Sequence, residues 1–215
     1  MITSVWRPPV SPGEPAPDFT LPTVDGGTVS LADYRGKGLF LGLFPGLWCV
    51  YCRRAITEMA TFRDKLKDLD VELLGVVASR QDNARVYLKY RPTSLRLAAD
   101  PETSTHRAYG VLKPVVNPEF MRSLETTRIN PEGVLPEALP IPQATDAMRA
   151  IDGYTRNATD DAERQQQWPL LKGQVLIDRD GIVRWVKMEC ATEEGLAGLA
   201  KPLSPDEVLT AARCL

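Results

Sequence analysis

The sequence is short of several things, and each shortage removes a class of protein. One histidine, His106, stands in 215 residues, which leaves no imidazole set for a His-based metal centre and weakens any Ser-His or Cys-His couple. Four cysteines are too few to staple a disulfide scaffold in a chain this long. Neither charge sign dominates: 26 Lys plus Arg stand against 28 Asp plus Glu, a net charge of −2. Nothing in that balance recruits nucleic acid, whose binders show a basic excess or stripe. No apolar run approaches the ~18 residues that cross a bilayer. The opening Met1-Ile2-Thr3-Ser4-Val5-Trp6 lacks the basic-then-apolar order of a secretory signal. A cytoplasmic protein with no membrane and no nucleic-acid partner is therefore expected. Glycine-rich dinucleotide and phosphate loops are absent too, so no organic cofactor is expected.

What is present is ordinary in bulk and specific in one place. A chain with 43 % hydrophobic and 25 % charged residues is a globular composition, long enough to build a full core without staples. Residues 1–18 carry Pro8, Pro9, Pro12, Pro15 and Pro17 and read as an extended arm. Asp25-Gly26-Gly27 between short apolar stretches predicts a hairpin over Phe19–Leu31. The continuous apolar run Gly38–Phe44 predicts a strand buried on both faces. Cys52, Ile56, Met59, Phe62 and Leu66 then recur at helical spacing, predicting a helix to about Leu69. Val71–Ala78 is a second buried strand. Ser79 is expected to cap a short helix through Tyr90. Leu95–Ala99 is a third strand, and Asp100-Pro101-Glu102 is expected to open a further helix. At the other end Gln174–Asp178 and Ile182–Met188 flank an Asp180-Gly181 hairpin turn, and Ser204-Pro205-Asp206-Glu207 reads as a capping box before a helix over Val208–Arg213.

Alternating strands and helices followed by an antiparallel hairpin and a terminal helix predict a single α/β domain over 1–215. Its expected architecture is a thioredoxin-like fold with a central mixed sheet flanked by helices. Between Lys113 and Leu170 the pattern breaks. Six prolines fall from Pro114 to Pro142, and only Ala144–Tyr154 suggests a short helix. Residues 113–170 are expected to be an insertion before the final hairpin, either a lid over the site or a surface elaboration.

The chemistry concentrates at Trp48-Cys49-Val50-Tyr51-Cys52, directly after a buried strand and at the mouth of a helix. Unpaired amides and the dipole at a helix start stabilise a thiolate, and Arg53 and Arg54 add charge. A Cys-x-x-Cys spacing lets one sulfur attack a substrate and the other displace it as a disulfide. Zinc would need two further ligands, and no second Cys-x-x-Cys exists; a pair of inert buried thiols is the other alternative.

The segment Phe44-Pro45-Gly46-Leu47-Trp48-Cys49-Val50-Tyr51-Cys52 resembles the active-site loop of the peroxiredoxins, in the alkyl hydroperoxide reductase/thiol-specific antioxidant (redoxin) superfamily, whose motif is Pro-x-x-x-Thr-x-x-Cys. Pro45 and Cys52 keep that spacing, and Cys49 stands where the family has Thr. Gly13-Glu14-Pro15-Ala16-Pro17-Asp18-Phe19, Leu31–Gly36, Ala108-Tyr109-Gly110-Val111 and Val175–Gly181 resemble other family segments. The resemblance implies a thioredoxin-fold thiol enzyme with Cys52 and Cys49 catalytic, supported by Pro45, Trp48, Tyr51 and Arg53. It departs at two points. Cys49 restores the Trp-Cys-x-x-Cys of disulfide reductases. Lys172 occupies the place of a peroxide-holding Arg, or of the thioredoxin cis-proline, and a lysine lacks the planar bidentate fork.

A two-residue turn at Asp180-Gly181 would set Cys190 opposite Leu171, at the end of the hairpin where Lys172 sits. Cys190 is thus a candidate third redox thiol, and Cys214 a frayed terminal one. His106, on a probable helix, is expected at a solvated position, and Glu58 on a solvated helix face. Trp185 is expected in packing, and Asp25 and Asp33 at a turn and a helix start. Tyr51 is expected to shield the buried thiol or contact substrate. The leading expectation is a peroxidase that reduces hydroperoxides, with Cys52 attacking and Cys49 resolving; the alternative is a disulfide reductase with the roles exchanged. A redox sensor that uses 113–170 as its switched surface is a third. The partners implied are a peroxide or disulfide substrate and an external thiol reductant such as thioredoxin or glutathione, with a homodimer left open.

Overall fold

A computed structural model describes residues 6–215; residues 1–5 of the arm lie outside the described residues. The rest of the arm is extended except at a turn over Ser11–Glu14, where Glu14 N–H donates to the Ser11 carbonyl at 3.1 Å. Gly13 N–H donates to the Val183 carbonyl at 2.8 Å, Val183 N–H to Glu14 at 2.9 Å and Ala16 N–H to Gly181 at 2.9 Å. Strands β1 (Thr20–Pro22) and β2 (Thr28–Ser30) form the expected hairpin. Strand β3 is Gly38–Phe44, buried at every residue. Helices α1 (Val50–Thr61) and α2 (Arg63–Lys67) follow, divided at Phe62 where one continuous helix was expected. Next come β4 (Val71–Val77), α3 (Gln81–Tyr90), β5 (Leu97–Ala99) and α4 (Ser104–Ala108).

Residues 113–170 are folded. They form α5 (Pro118–Thr126), a two-stranded pair β6 (Arg128–Ile129) and β7 (Leu139–Pro140), α6 (Ile141–Asp152) and α7 (Ala158–Gln167). The chain closes with β8 (Gly173–Ile177), β9 (Val183–Met188) and α8 (Pro205–Ala212).

The main sheet has the order β5-β4-β3-β8-β9, with β4 parallel to both β3 and β5, and β8 antiparallel to both β3 and β9. Because side chains alternate along a strand, β3 feeds two cores. Leu39, Leu41 and Leu43 pack with β1, β2 and Tyr109, while Phe40 and Phe44 pack with Met59, Phe62 and Leu209. A third cluster joins the insertion to the site: Phe120, Ile141, Ala144 and Met148 pack with Val50, Tyr51, Leu171 and Cys190.

The hairpin register is the expected one, reached by a different turn. Asp178 N–H donates to Ile182 and Gly181 N–H to Asp178, a longer connection than the two-residue turn. An irregularity between Leu176 and Ile177 absorbs the offset, so Gly173 still pairs with Met188 and Glu189 N–H still donates to Lys172.

Two caps differ from expectation. The α3 N-cap is Arg80, not Ser79, whose hydroxyl instead accepts from Leu47 N–H at 3.1 Å. Helix α4 starts at Ser104, with the Asp100 carboxylate, not Pro101, serving its first amides at 3.0 and 2.9 Å. Ser204 caps α8 as expected, but Glu207 turns away to accept from the Trp185 indole at 3.1 Å.

Helix α7 left no apolar period in the sequence because its buried stripe is polar. Asp160, Glu163 and Gln167 are all buried. Asp160 accepts from Asn83 Nδ2 at 2.9 Å, Tyr154 Oη at 2.7 Å and Asn157 N–H at 3.1 Å. Glu163 accepts from Arg80 N–H at 2.8 Å, and Gln167 donates to Pro101 at 2.9 Å. Truncating Asp160 strands the buried Asn83 amide and removes the part-buried bonds from Tyr154 and Asn157, at about 1–3 kcal/mol. Asp160→Ala should lower the denaturation midpoint accordingly and open residues 153–168 to limited proteolysis before the rest of the chain.

Candidate active site

Cys49 is the N-cap of α1, and Cys52 sits one turn inside it. The loop that delivers them is fixed from three sides. Gly46 has φ +148°, and a Cβ there would fall 2.5 Å from the Trp48 indole nitrogen, so the glycine is needed for both conformation and space. The Ser79 hydroxyl holds Leu47 N–H, and Arg53 Nη1 donates to the Leu47 carbonyl at 2.7 Å. His106 is fully buried, not solvated as expected; its Nε2 meets the Phe44 carbonyl at 3.1 Å and its Nδ1 the Asp100 carboxylate at 3.1 Å. A polar interior position carries no sequence signal of its own, because the partners that satisfy it come from elsewhere in the fold.

The two sulfurs are unlike. Cys49 is half-buried and lines an open cavity, whereas Cys52 is 1 % exposed. A hydrogen bond from the Cys52 thiol holds the Cys49 thiol below its ordinary range against the opposing effect of its own burial, and the Lys172 charge adds to it. Burial pushes Cys52 well above the ordinary range, and its donation to Cys49 pushes the same way. Cys49 is therefore the sulfur that ionises first.

The expected charges are placed differently from the sequence reading. Arg53 is buried and spent on structure: Nη2 and Nε donate to Asp152 at 2.6 and 3.1 Å, with the guanidinium 4.6 Å from the centre of the Tyr154 ring. Arg54 is paired with Glu132. The cation that bears on the sulfurs is Lys172, buried and bonded through Nζ to Glu189 Oε1 at 2.8 Å. Burial pulls its ammonium down, but the Glu189 charge and hydrogen bond prevail and raise it above the ordinary value. Glu189 escaped the sequence reading because a lone acid after a strand has no motif.

Over Cys49 lies a cavity of about 340 Å³, lined by Pro45, Trp48, Cys52, Tyr51, Lys172 and Glu189 from the fold's frame, and by Phe120, Leu124 and Ile141 from the insertion. Tyr51 reaches the insertion directly, its hydroxyl 3.0 Å from Thr145, and burial pushes its phenol up to about 12. Cys190 is buried in the cluster that includes Tyr51 and abuts Cys49, with φ +60°. Burial pushes its thiol above the ordinary range. It carries no disulfide, and Cys214 is free and exposed. Glu58, expected in solvent, is half-buried and accepts from Leu203 N–H at 3.0 Å. Trp185 packs on Phe40, 6.2 Å between rings. Asp33 accepts from Ser30 N–H at 2.7 Å at the start of a short helical turn, and Asp25 contacts Thr23 in the hairpin, as expected. No group of three or more His, Cys, Asp or Glu suited to a metal ion occurs among the described residues.

A dithiol at the mouth of α1, on a mixed sheet with the order β5-β4-β3-β8-β9, defines a thioredoxin-fold protein. The chain belongs to the AhpC/TSA family, whose model matches residues 12–186. It is similar to the peroxiredoxin tpx1 of Schizosaccharomyces pombe, 31 % identical over 66 % of this chain and 80 % of that one. It is also similar to the thiol-disulfide oxidoreductase ResA of Bacillus cereus, 31 % identical over 46 % of this chain and 58 % of that one. The chain spans only 58–64 % of the length of the Bacillus cereus and Mycobacterium tuberculosis relatives. Among solved structures, a reduced 2-Cys peroxiredoxin of Plasmodium vivax shares the fold with a TM-score of 0.59 at 19 % identity, covering 95 % of this chain and 81 % of that one.

Removing the donor to Cys49 should raise its pKa. In Cys52→Ala the pH midpoint of Cys49 alkylation by iodoacetamide should move up from its wild-type position; an unchanged midpoint would show that the thiol–thiol hydrogen bond is idle.

Proposed function

We propose that this chain is a thiol-dependent oxidoreductase that cycles between a Cys49/Cys52 dithiol and disulfide, with Cys49 as the attacking sulfur. The observation that carries the assignment is the asymmetry of the pair. The half-exposed Cys49 faces the cavity and is held toward its thiolate, while Cys52 is buried and held toward its thiol. The thiolate is the nucleophile, so Cys49 attacks a substrate disulfide and Cys52 closes the intramolecular bond. An external thiol reductant then returns the pair to the dithiol.

A peroxide substrate attacked by Cys52 is the second reading. It is supported by the Pro45-to-Cys52 spacing and by the peroxiredoxin relatives. It would require the Cys52 thiol to ionise and become accessible.

The two are separated by trapping. With a disulfide substrate, Cys52→Ser should accumulate a mixed disulfide through Cys49 and Cys49→Ser should not, as read by intact-mass spectrometry. A fast sulfenic acid at Cys52 of Cys49→Ser under equimolar hydrogen peroxide, with no mixed disulfide in Cys52→Ser, would reverse the assignment.

A further inference from the structure

The insertion decides much of what the cavity over Cys49 presents to a substrate. Two of its helices supply facing groups. From α5, Phe120 and Leu124 are one turn apart and line the cavity together with Met121. From the end of α7, Arg164 and Trp168 are again one turn apart, and both line it. Trp168 meets Phe120 with 6.2 Å between ring centres, which joins the two helices. Met121 and Trp168 are 40 % and 37 % exposed while lining the cavity, so they stand where it meets solvent. An apolar rim of this kind leaves surface in water that an apolar ligand covers.

Six charged side chains also line the cavity, and four of them are spent on one another. Lys172 Nζ lies 2.8 Å from Glu189 Oε1, and Arg149 Nη1 lies 2.8 Å from Asp146 Oδ1. The two that remain are Glu125 and Arg164. Neither side chain enters an ion pair or a hydrogen bond among the described residues. They are not equivalent. Glu125 is exposed, where water and salt screen it. Arg164 is half-buried, so its guanidinium has given up part of its hydration with no acid in return. A carboxylate on a bound molecule satisfies such a group in the planar two-point geometry that arginine favours.

Size restricts the occupant further. The cavity measures about 340 Å³, at the small end of ligand pockets. Its roof is tied to α1 by Arg53–Asp152 and Tyr51–Thr145, so a disulfide that reaches Cys49 carries only a small body in with it. We propose that the substrate of the Cys49/Cys52 pair is a small-molecule disulfide with an aromatic or bulky apolar body and a carboxylate, the body held by Phe120 and Trp168 and the carboxylate by Arg164.

The inference rests on Cys49 attacking a disulfide, and it adds which disulfide. The Cys49 thiolate bonds to one sulfur of R–S–S–R, and RS⁻ leaves. The Cys52 sulfur then bonds to the Cys49 sulfur, the Cys49–SR bond breaks, and a second RS⁻ leaves. The two thiol protons of the pair end on the two released thiols. The net change is dithiol plus R–S–S–R to protein disulfide plus two RSH, with two electrons passing to the substrate.

The test crosses three disulfides with two variants. The probes are 4,4′-dithiobis(benzoic acid), its neutral diamide, and bis(2-hydroxyethyl) disulfide, which has neither ring nor charge. Each is mixed with the full chain carrying Cys52→Ser and Cys214→Ser, and the rate of adduct formation at Cys49 is read by quenched intact-mass spectrometry. Arg164→Gln should lower the acid-to-amide rate ratio by about tenfold, the scale of one charge-assisted hydrogen bond. Trp168→Ala should lower the amide-to-hydroxyethyl ratio by about fivefold, the scale of a lost aromatic contact. Ratios within one variant cancel the different leaving groups of the probes and any general loss of order in the loop. An acid-to-amide ratio that does not move in Arg164→Gln overturns the assignment, as does an amide-to-hydroxyethyl ratio that does not move in Trp168→Ala. Faster adduct formation with insulin than with the acid overturns it too, since a protein disulfide is then the better substrate. No adduct at Cys49 with any of these disulfides overturns the Cys49-first reading itself.

Discussion

A buried guanidinium joins the loop that carries the cysteines to the helices that roof it. Arg53 reaches back to the Leu47 carbonyl, across to Asp152 at the end of α6, and stacks against Tyr154. A charge so far from water is tolerated only when it is paired and its donors are used. Position 53 thus demands an acid from the insertion, and Asp152 supplies one that is itself 9 % exposed and shared with Arg91. The cavity over Cys49 exists because this contact, with Tyr51–Thr145 and Arg54–Glu132, draws α6 and its neighbours onto the first turns of α1.

The same geometry sorts the two sulfurs. Helix geometry places Cys52 one turn inside α1, against Phe44 and Leu47 in the core, and leaves Cys49 at the cap beside the cavity. Burial penalises the ionised form, and the hydrogen bond that the buried Cys52 gives to Cys49 widens the difference between two thiols that share one motif. Lys172 and Glu189 then place a cation and an anion together at the inner end of the cavity. As a pair they cost less to bury than either would alone, and they provide the one charged element next to the sulfurs that the protein does not spend on holding the loop.

Much of the frame could be read directly. Gly38–Phe44 announced a strand covered on both faces because each of its residues is apolar and both faces do meet a core. The Gln174–Met188 hairpin was legible from Asp180-Gly181, and its register survived a wrong turn length because the bulge restored the pairing that buries Val175 and Val183. The insertion was opaque for a physical reason. Its last helix buries Asp160, Glu163 and Gln167, and a polar stripe has no hydrophobic period to detect. His106 was misplaced for the same reason: a buried imidazole is made tolerable by Asp100 and the Phe44 carbonyl, which only the fold brings to it.

Sequence by itself determined the chemistry available. Two cysteines at the spacing of a helix turn, after a buried strand, set a vicinal dithiol at the mouth of a helix, because local geometry follows from local spacing. Tertiary structure decided how that chemistry is divided. Which sulfur meets the cavity, which arginine is consumed in an ion pair, and which acid stands beside Lys172 all depend on desolvation and on partners distant in the chain. Desolvation is a property of the assembled interior, and no window of sequence contains it.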